Sequence, residues 1–306
     1  MSQTPETYSA AAEVAAVRKR RGRFERSWIA LKKAPISAWF GLIVVSAYVF
    51  VALFAPLLAP YGEAEIFPTP FGPWDETHRF GTDQIGRDIF TRLIYGARNT
   101  MGIALMTTLL SFIIGGGLGL VAAINNSWLD QILSRSVDVL MAIPSLIFAL
   151  MLLSIFGSTV TSLIVIIAVL DSTRVFRLTR AVAINVVVMD YVEAARLRGE
   201  KIGWIMRREI LPNIMPPLIA EFGLRFSFVF LTIAALSFLG VGIQPPTADW
   251  GSMVRENASL IQFAQYDIKA GLTPLLPAAA IALLTVAVNF VVDWFLHTSS
   301  GLRDEH

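Results

Sequence analysis

Six long apolar runs set the limits on what this chain can fold into. They lie at roughly 38–59, 100–124, 137–157, 159–176, 216–241 and 273–297. A helix needs about 20 predominantly apolar residues to cross the hydrocarbon core of a bilayer. Helices are also among the few structures that satisfy every backbone N–H and C=O inside lipid. Charged residues make up 16% of the chain, well below the ~25% of ordinary soluble domains. The sequence therefore predicts an all-α membrane protein with about six transmembrane helices. The fourth run is the weakest of the six, because Asp171, Arg174 and Arg177 crowd its end. The first run is too long for the 7–15-residue core of a signal peptide, and a 37-residue basic tail precedes it, so it reads as an uncleaved anchor.

Lysine and arginine set the expected orientation. With the N-terminus inside, the inner segments carry 18 basic residues against 6 for the outer ones, an asymmetry that favours N-in and C-in. The domain reading is a basic cytoplasmic tail at 1–37, a transmembrane domain at 38–297 with a long cytoplasmic loop at 177–215, and a cytoplasmic tail at 298–306. The run RKRRGR at 18–23 reads as a topology determinant at the inner membrane surface rather than a lipid or nucleic-acid binder. The formal net charge of +2 gives no indication of a nucleic-acid partner. With no cysteine, disulfides, thiolate metal sites and thiol nucleophiles are excluded. His78, His297 and His306 are too scattered to suggest a metal site.

The 177–215 loop contains the stretch EAARLRGEKIGWIMRREILPN, residues 193–213. Its charges must meet water or protein. Ala194 and Ala195 offer a low-relief face for close approach. Gly199 permits a sharp turn without a Cβ penalty. Beyond it, Ile202, Ile205, Met206 and Ile210 recur as one apolar face of a second helix, opposite Lys201, Arg208 and Glu209. Pro212 is expected to end that helix. The prediction is a helix–turn–helix elbow, half apolar and half charged, at the membrane surface. A plain interfacial anchor helix fits the same pattern.

The positions Glu193, Ala194, Ala195, Gly199, Leu211 and Pro212 resemble the EAA signature of bacterial ABC importer permeases. Arg198 and Glu209 are more polar than that pattern usually allows. Three further stretches resemble the dipeptide/oligopeptide/nickel branch of the family, and its C-type subunit in particular. These are FGTDQIGRDIFTRLIYGARNTMGIAL at 80–105, ALSFLGVGIQPPTADWGSMV at 235–254 and, more loosely, the ending NFVVDWFL…GLRD. The resemblance covers about 36–305. It implies a type I ABC importer permease in the bacterial inner membrane, with 38–297 as the permease domain and 193–212 as the coupling element seated on an ATPase. It also implies the partners: a second homologous permease forming a heterodimer, two ABC ATPase subunits that bind ATP and Mg, an external solute-binding protein, and membrane lipid. Solutes of that branch include di- and oligopeptides, nickel, opines, glutathione and oligosaccharides.

The chain itself carries no phosphate loop of the form G-x-x-x-x-G-K-[ST] and no Gly-Lys pair, so no cofactor, metal or catalytic residue is expected in it. Outside the membrane, Asp83 and Asp88 read as turn and cap residues rather than solute ligands. Pro245, Pro246 and Trp250 read as a rigid turn bearing an interfacial aromatic. Within the membrane, Glu221 and Arg225 stand one helical turn apart and are expected to form a structural or gating pair near the inner end of the fifth span. Asp138 and Asp293 are placed near inner span ends. Gly115 and Gly119 carry small-xxx-small spacing for close helix approach, either within the bundle or against the second permease. The competing reading is a stand-alone secondary transporter or channel.

Overall fold

A computed structural model describes residues 32, 34–125 and 128–299. The chain divides into units 1–36 and 37–306, and the account below concerns the second. The expected tails 1–37 and 298–306, with the RKRRGR run, fall almost entirely outside the described residues.

Among the described residues the regular structure is helical, apart from one isolated bridge between Thr82 and Asp88. The elements are α1 (Ile36–Leu53), α2 (Ala55–Leu58), α3 (Ile89–Asn125), α4 (Trp128–Ala142), α5 (Ser145–Phe156), α6 (Val160–Val187) and α7 (Asp190–Leu197). They continue with α8 (Ile202–Ile205), a π-helical turn (Met206–Ile210), α9 (Leu211–Phe238) and α10 (Trp250–Asn257). A 3₁₀ turn (Ala258–Phe263), α11 (Ile268–Leu272) and α12 (Leu275–Ser299) complete the chain.

Among the described residues, four helices are long and apolar enough to cross a membrane: Ile36–Leu53, Ile89–Asn125, Ile202–Phe238 and Ile268–Thr298. A fifth span arises if α4 and α5 count as one, although they are bent by 90° at their junction. The sequence predicts six runs, and the difference lies in α6. Every 18-residue stretch of that helix takes in at least three of Asp171, Arg174, Arg177 and Arg180, so composition alone does not mark it as a span. The run expected at 137–157 is covered by α4 and α5, and the 90° bend between them falls at Pro144, which cannot continue a helical hydrogen-bond ladder.

The bundle is built around the α3–α6 pair, where small residues bring the backbones together. A Cβ on Gly115 would lie 2.2 Å from the Ser172 carbonyl oxygen, and one on Gly119 would lie 2.8 Å from that of Phe176. The small-xxx-small spacing thus serves packing inside this chain, and van der Waals contact is the main attraction between helices in lipid. The main core gathers Ile89, Leu153, Leu163, Phe230, Trp250 and Leu284. Helix α1 stays peripheral: only Ala38 and Gly41 are buried, with Gly41 against the Ala287 carbonyl of α12. Ile43 and Phe50 on the same helix are more than half exposed, as a lipid-facing helix requires.

Trp250 does not sit at an interface. It is 2% exposed, packs edge-on against Tyr48 and Phe230, and donates its indole N–H to the Leu93 carbonyl at 2.9 Å. Gly96 makes room for its ring. The interfacial reading of this residue is therefore corrected: a buried indole with its N–H satisfied is a core residue.

Candidate functional site

The elbow forms at residues 188–218. Asp190 and Glu193 fall in the first turn of α7, where negative charge complements the helix dipole. The helix closes through paired bonds, Glu200 N–H to the Ala195 carbonyl at 3.2 Å and Gly199 N–H to that of Arg196 at 2.9 Å. This is a Schellman closure with Gly199 at the left-handed position, φ +80°. No other group lies within 4 Å of the place a Cβ would take there. The requirement for glycine is therefore conformational and not steric.

The second arm differs from the expected amphipathic helix in two respects. Pro212 does not end it; α8, the π turn and α9 run on as one helix from Ile202 to Phe238. Pro212 sits in the first turn after the π segment, where its missing N–H is tolerated. The buried positions are Ile205, Ile210, Ile214 and Leu218, whereas Ile202 is 59% exposed. Five residues from Ile205 to Ile210 would break an α-helical stripe, but the π turn takes up the extra residue and keeps both on one face.

That face packs with Val192 and Ala195 of α7 on Leu120 and Ala123 of α3 and Ala183 of α6. The EAA positions consequently divide. Ala195 is buried and anchors the elbow to the bundle, while Glu193 and Ala194 are exposed. Leu211 is half-buried against the same cluster, and Gly199 and Pro212 are exposed. The outward side combines the charges of Arg196, Arg198, Lys201, Arg207 and Arg208 with apolar Val188 and Leu197, which are 75% and 83% exposed. A solvated loop gains nothing from exposing two such side chains side by side; a protein partner would bury them.

The second predicted feature, Glu221 with Arg225, is present and larger than predicted. Arg225 Nε lies 2.7 Å from Glu221 Oε1, an ion pair without hydrogen-bond alignment at Nε. A second Arg225 nitrogen stands 3.6 Å from Asp171 Oδ1, and Ser111 of α3 donates to Asp171 Oδ2 at 3.2 Å. Arg174 reaches Asp171 at 3.9 Å. Three helices thus meet at one charge cluster, with Arg225 about half-way along α9. Spacing within one helix could expose Glu221–Arg225, but Asp171 and Ser111 are far away in sequence. Two further pairs join α4 to α6: Arg180 with Asp130, and Arg177 with Asp138.

The far end of the bundle holds a third network. Asp83 caps its own turn, accepting from Ile85 N–H and Arg87 N–H, each at 3.0 Å. Its other oxygen takes Arg87 Nε at 2.6 Å. Arg87 and Arg92 both reach Glu256 of α10, at 2.8 and 3.3 Å. Asp88 caps α3 through Thr91 N–H and accepts from His78 Nδ1 at 2.9 Å. These buried groups tie segment 78–92 to α10, although one Arg92 nitrogen and the Thr91 hydroxyl are left without a hydrogen-bond partner. Among the described residues no group of His, Asp and Glu is placed to hold a metal ion.

This arrangement, with an outward elbow on an all-helical bundle, can be compared with known proteins. A sequence model of the binding-protein-dependent transport system inner membrane component matches residues 115–299, and one of the N-terminal transmembrane domain of oligopeptide transport permease C matches 23–71. The chain belongs to the binding-protein-dependent transport permeases. A dipeptide transport system permease protein of Alkalihalophilus pseudofirmus is 36% identical to this permease over 276 residues, covering 90% of it and 86% of the relative. The Escherichia coli K12 dipeptide permease protein is 38% identical over 271 residues, covering 86% of each. A di/tripeptide permease protein of Pseudomonas aeruginosa is 36% identical over 271 residues, covering 86% of the permease and 85% of the relative. The MetNI methionine ABC transporter, solved in inward-facing conformations, superposes with a TM-score of 0.51 at 18% identity, over 68% of this permease and 97% of that chain. The permease is thus a multi-pass inner-membrane component with the helical fold of an ABC importer subunit.

Proposed function

We propose that this permease forms half of the path by which an ABC importer moves peptides, or solutes of similar size, into the cell, and that the 193–212 elbow couples it to a separate ATPase. In this reading Glu193, Ala194 and the exposed Leu197 meet the ATPase. Ala195, Leu211 and the buried isoleucines fasten the elbow to the bundle, Gly199 sets the angle between its arms, and Pro212 starts the span that the elbow moves. The partners are a second homologous permease, two ATPase subunits that hold ATP and Mg, and an external solute-binding protein. The chain contributes no nucleotide chemistry of its own. Peptide as the solute class is supported by the dipeptide and di/tripeptide permease proteins that align over nearly nine-tenths of the chain.

The observation that carries the reading is the elbow's two-sidedness: a fully buried inner face and an outer face that pairs bare Leu197 with exposed charge. The test is solute-stimulated ATP hydrolysis by the reconstituted complex. Glu193→Lys and Gly199→Trp should insert into the membrane normally and lose that stimulation. Normal stimulation in both variants would overturn the coupling role.

A further inference from the structure

The charge cluster half-way along the bundle has a surface that faces neither lipid nor the core. Asp171 lies 11 residues into the 28 of α6, and Arg225 lies 14 into the 28 of α9. At about 1.5 Å per residue Asp171 and Arg225 sit ~17 and ~21 Å from the first residues of their helices, well inside the bundle. Yet the Arg174 side chain is 45% exposed, and the neighbouring Arg177–Asp138 pair is 52% and 59% exposed. Ionisable groups at this depth face a water-filled cavity or another protein.

The balance of charge within the cluster favours water and a passing anion. Asp171 is only 6% exposed and already takes Ser111 and Arg225, at 3.2 and 3.6 Å. Arg225 is turned inward, between Glu221 and the ring of Phe228 at 4.6 Å. Arg174 stands farthest from Asp171, at 3.9 Å, and has the most open side chain of the four. The cluster is neutral in sum, but the surface it presents is positive. A shallow cavity adjoins it, where Arg174 and Asp171 meet Ser145 of α5 and Phe228 and Thr232 of α9. A guanidinium fork beside hydroxyl groups is the chemistry that receives a carboxylate.

We propose that the face of α6 carrying Arg174 and Arg177 lines the solute path, and that the Arg174 guanidinium is a contact for a carboxylate of the passing solute within the bundle. The proposal rests on the permease reading above and adds the chemical class of the group recognised and the residue that meets it. It also explains why α6 carries charge that its length alone would not require.

The absence of cysteine makes a direct test possible, since thiol label on this chain reports only an introduced position. Thr232→Cys, beside Arg174, and Ile43→Cys, on the lipid-facing side of α1, are each assembled with the partner subunits in membranes. They are then treated with anionic and cationic methanethiosulfonates of similar size. Thr232→Cys should react from water, faster with the anion, and Ile43→Cys should not. Adding Arg174→Gln should lower the anion-to-cation rate ratio by roughly tenfold, and Arg174→Lys should largely restore it. An inert Thr232→Cys, or a ratio unmoved by Arg174→Gln, overturns the proposal. If Arg174→Gln does not assemble, the Thr232→Cys protein alone decides: the ratio should exceed one at low salt and collapse at high salt, and a ratio of one at low salt sinks the idea. Uptake of a dipeptide by the same membranes tests the permease reading separately. Anion-selective labelling without ATP-driven uptake would fault that reading and leave the positive path standing.

Discussion

At the scale of single residues, burial decides what a polar group is worth. Asp249 has no exposed surface and caps α10, accepting Ser252 N–H at 2.8 Å and the Thr100 hydroxyl at 3.0 Å. It lies in the loop beyond α9, outside the spans. Burial pushes its carboxyl above the ordinary carboxylate range, against the smaller opposing pull of its hydrogen bonds. The sign follows from linkage. The folded state holds this proton more tightly than the unfolded chain, so stability from this site is highest below the ordinary carboxylate pKa. It falls as pH rises through the raised value. Asp249→Asn, neutral throughout and still able to accept from Ser252, should remove that fall. Asp249→Ala should cost about 1–2 kcal/mol at low pH, because the cap is lost and the Thr100 hydroxyl loses its acceptor, and less at high pH, where the parent itself is weakened. Thermal unfolding of the purified protein in detergent from pH 4 to 8 checks both. A falling slope that persists in Asp249→Asn would exclude Asp249 as its source.

At the scale of elements, the glycine run 115–117 shows how position on a helix sorts identical residues. Gly115 faces α6 with no room for a methyl group, whereas nothing lies within 4 Å of a Cβ on Gly117. Gly115→Ala should force α3 and α6 apart and cost about 1–3 kcal/mol through overpacking. Gly117→Ala should be neutral or slightly stabilising, since alanine is the better helix former. Comparing the melting temperatures of the two variants tests the assignment, and equal losses would refute it. The sequence shows the small-xxx-small spacing but not the partner, because α6 lies some 60 residues away. The same reason hid the Arg92–Glu256 and Asp171–Arg225 contacts. Apolar runs, the Gly199 turn and the charged loop were legible because each is written in neighbouring residues. The continuation of the helix past Pro212 is not legible in the same way, because proline ends helices by default and only the π turn ahead of it places Pro212 in a first turn. The trace of the π turn was nonetheless present in the five-residue step from Ile205 to Ile210.

At the scale of the whole molecule, that step bears on how the elbow and the transport path communicate. Ile202–Phe238 is one helix that begins beside the exposed face of the elbow and passes through the Glu221–Arg225 cluster. A continuous element that meets both places, even with Pro216 and Pro217 within it, can bias both without any long-range signal. Its inner face must stay in phase on either side of the π turn, and this gives an asymmetric prediction. Deleting Arg208, an exposed residue of that turn, should convert it to α-helix. Ile205 and Ile210 would then stand four apart, still on one face, so assembly and solute-stimulated ATP hydrolysis should stay within about twofold of the parent. Inserting one alanine after Arg208 should instead turn the outer arm by about 100° and carry Ile205 out of its pocket. Stimulation should then drop at least tenfold while the spans still insert. Co-purification of the ATPase reports assembly in both variants. Equal tolerance of the deletion and the insertion would show that the phase of this helix does not matter, and with it the helical link from elbow to charge cluster would fall.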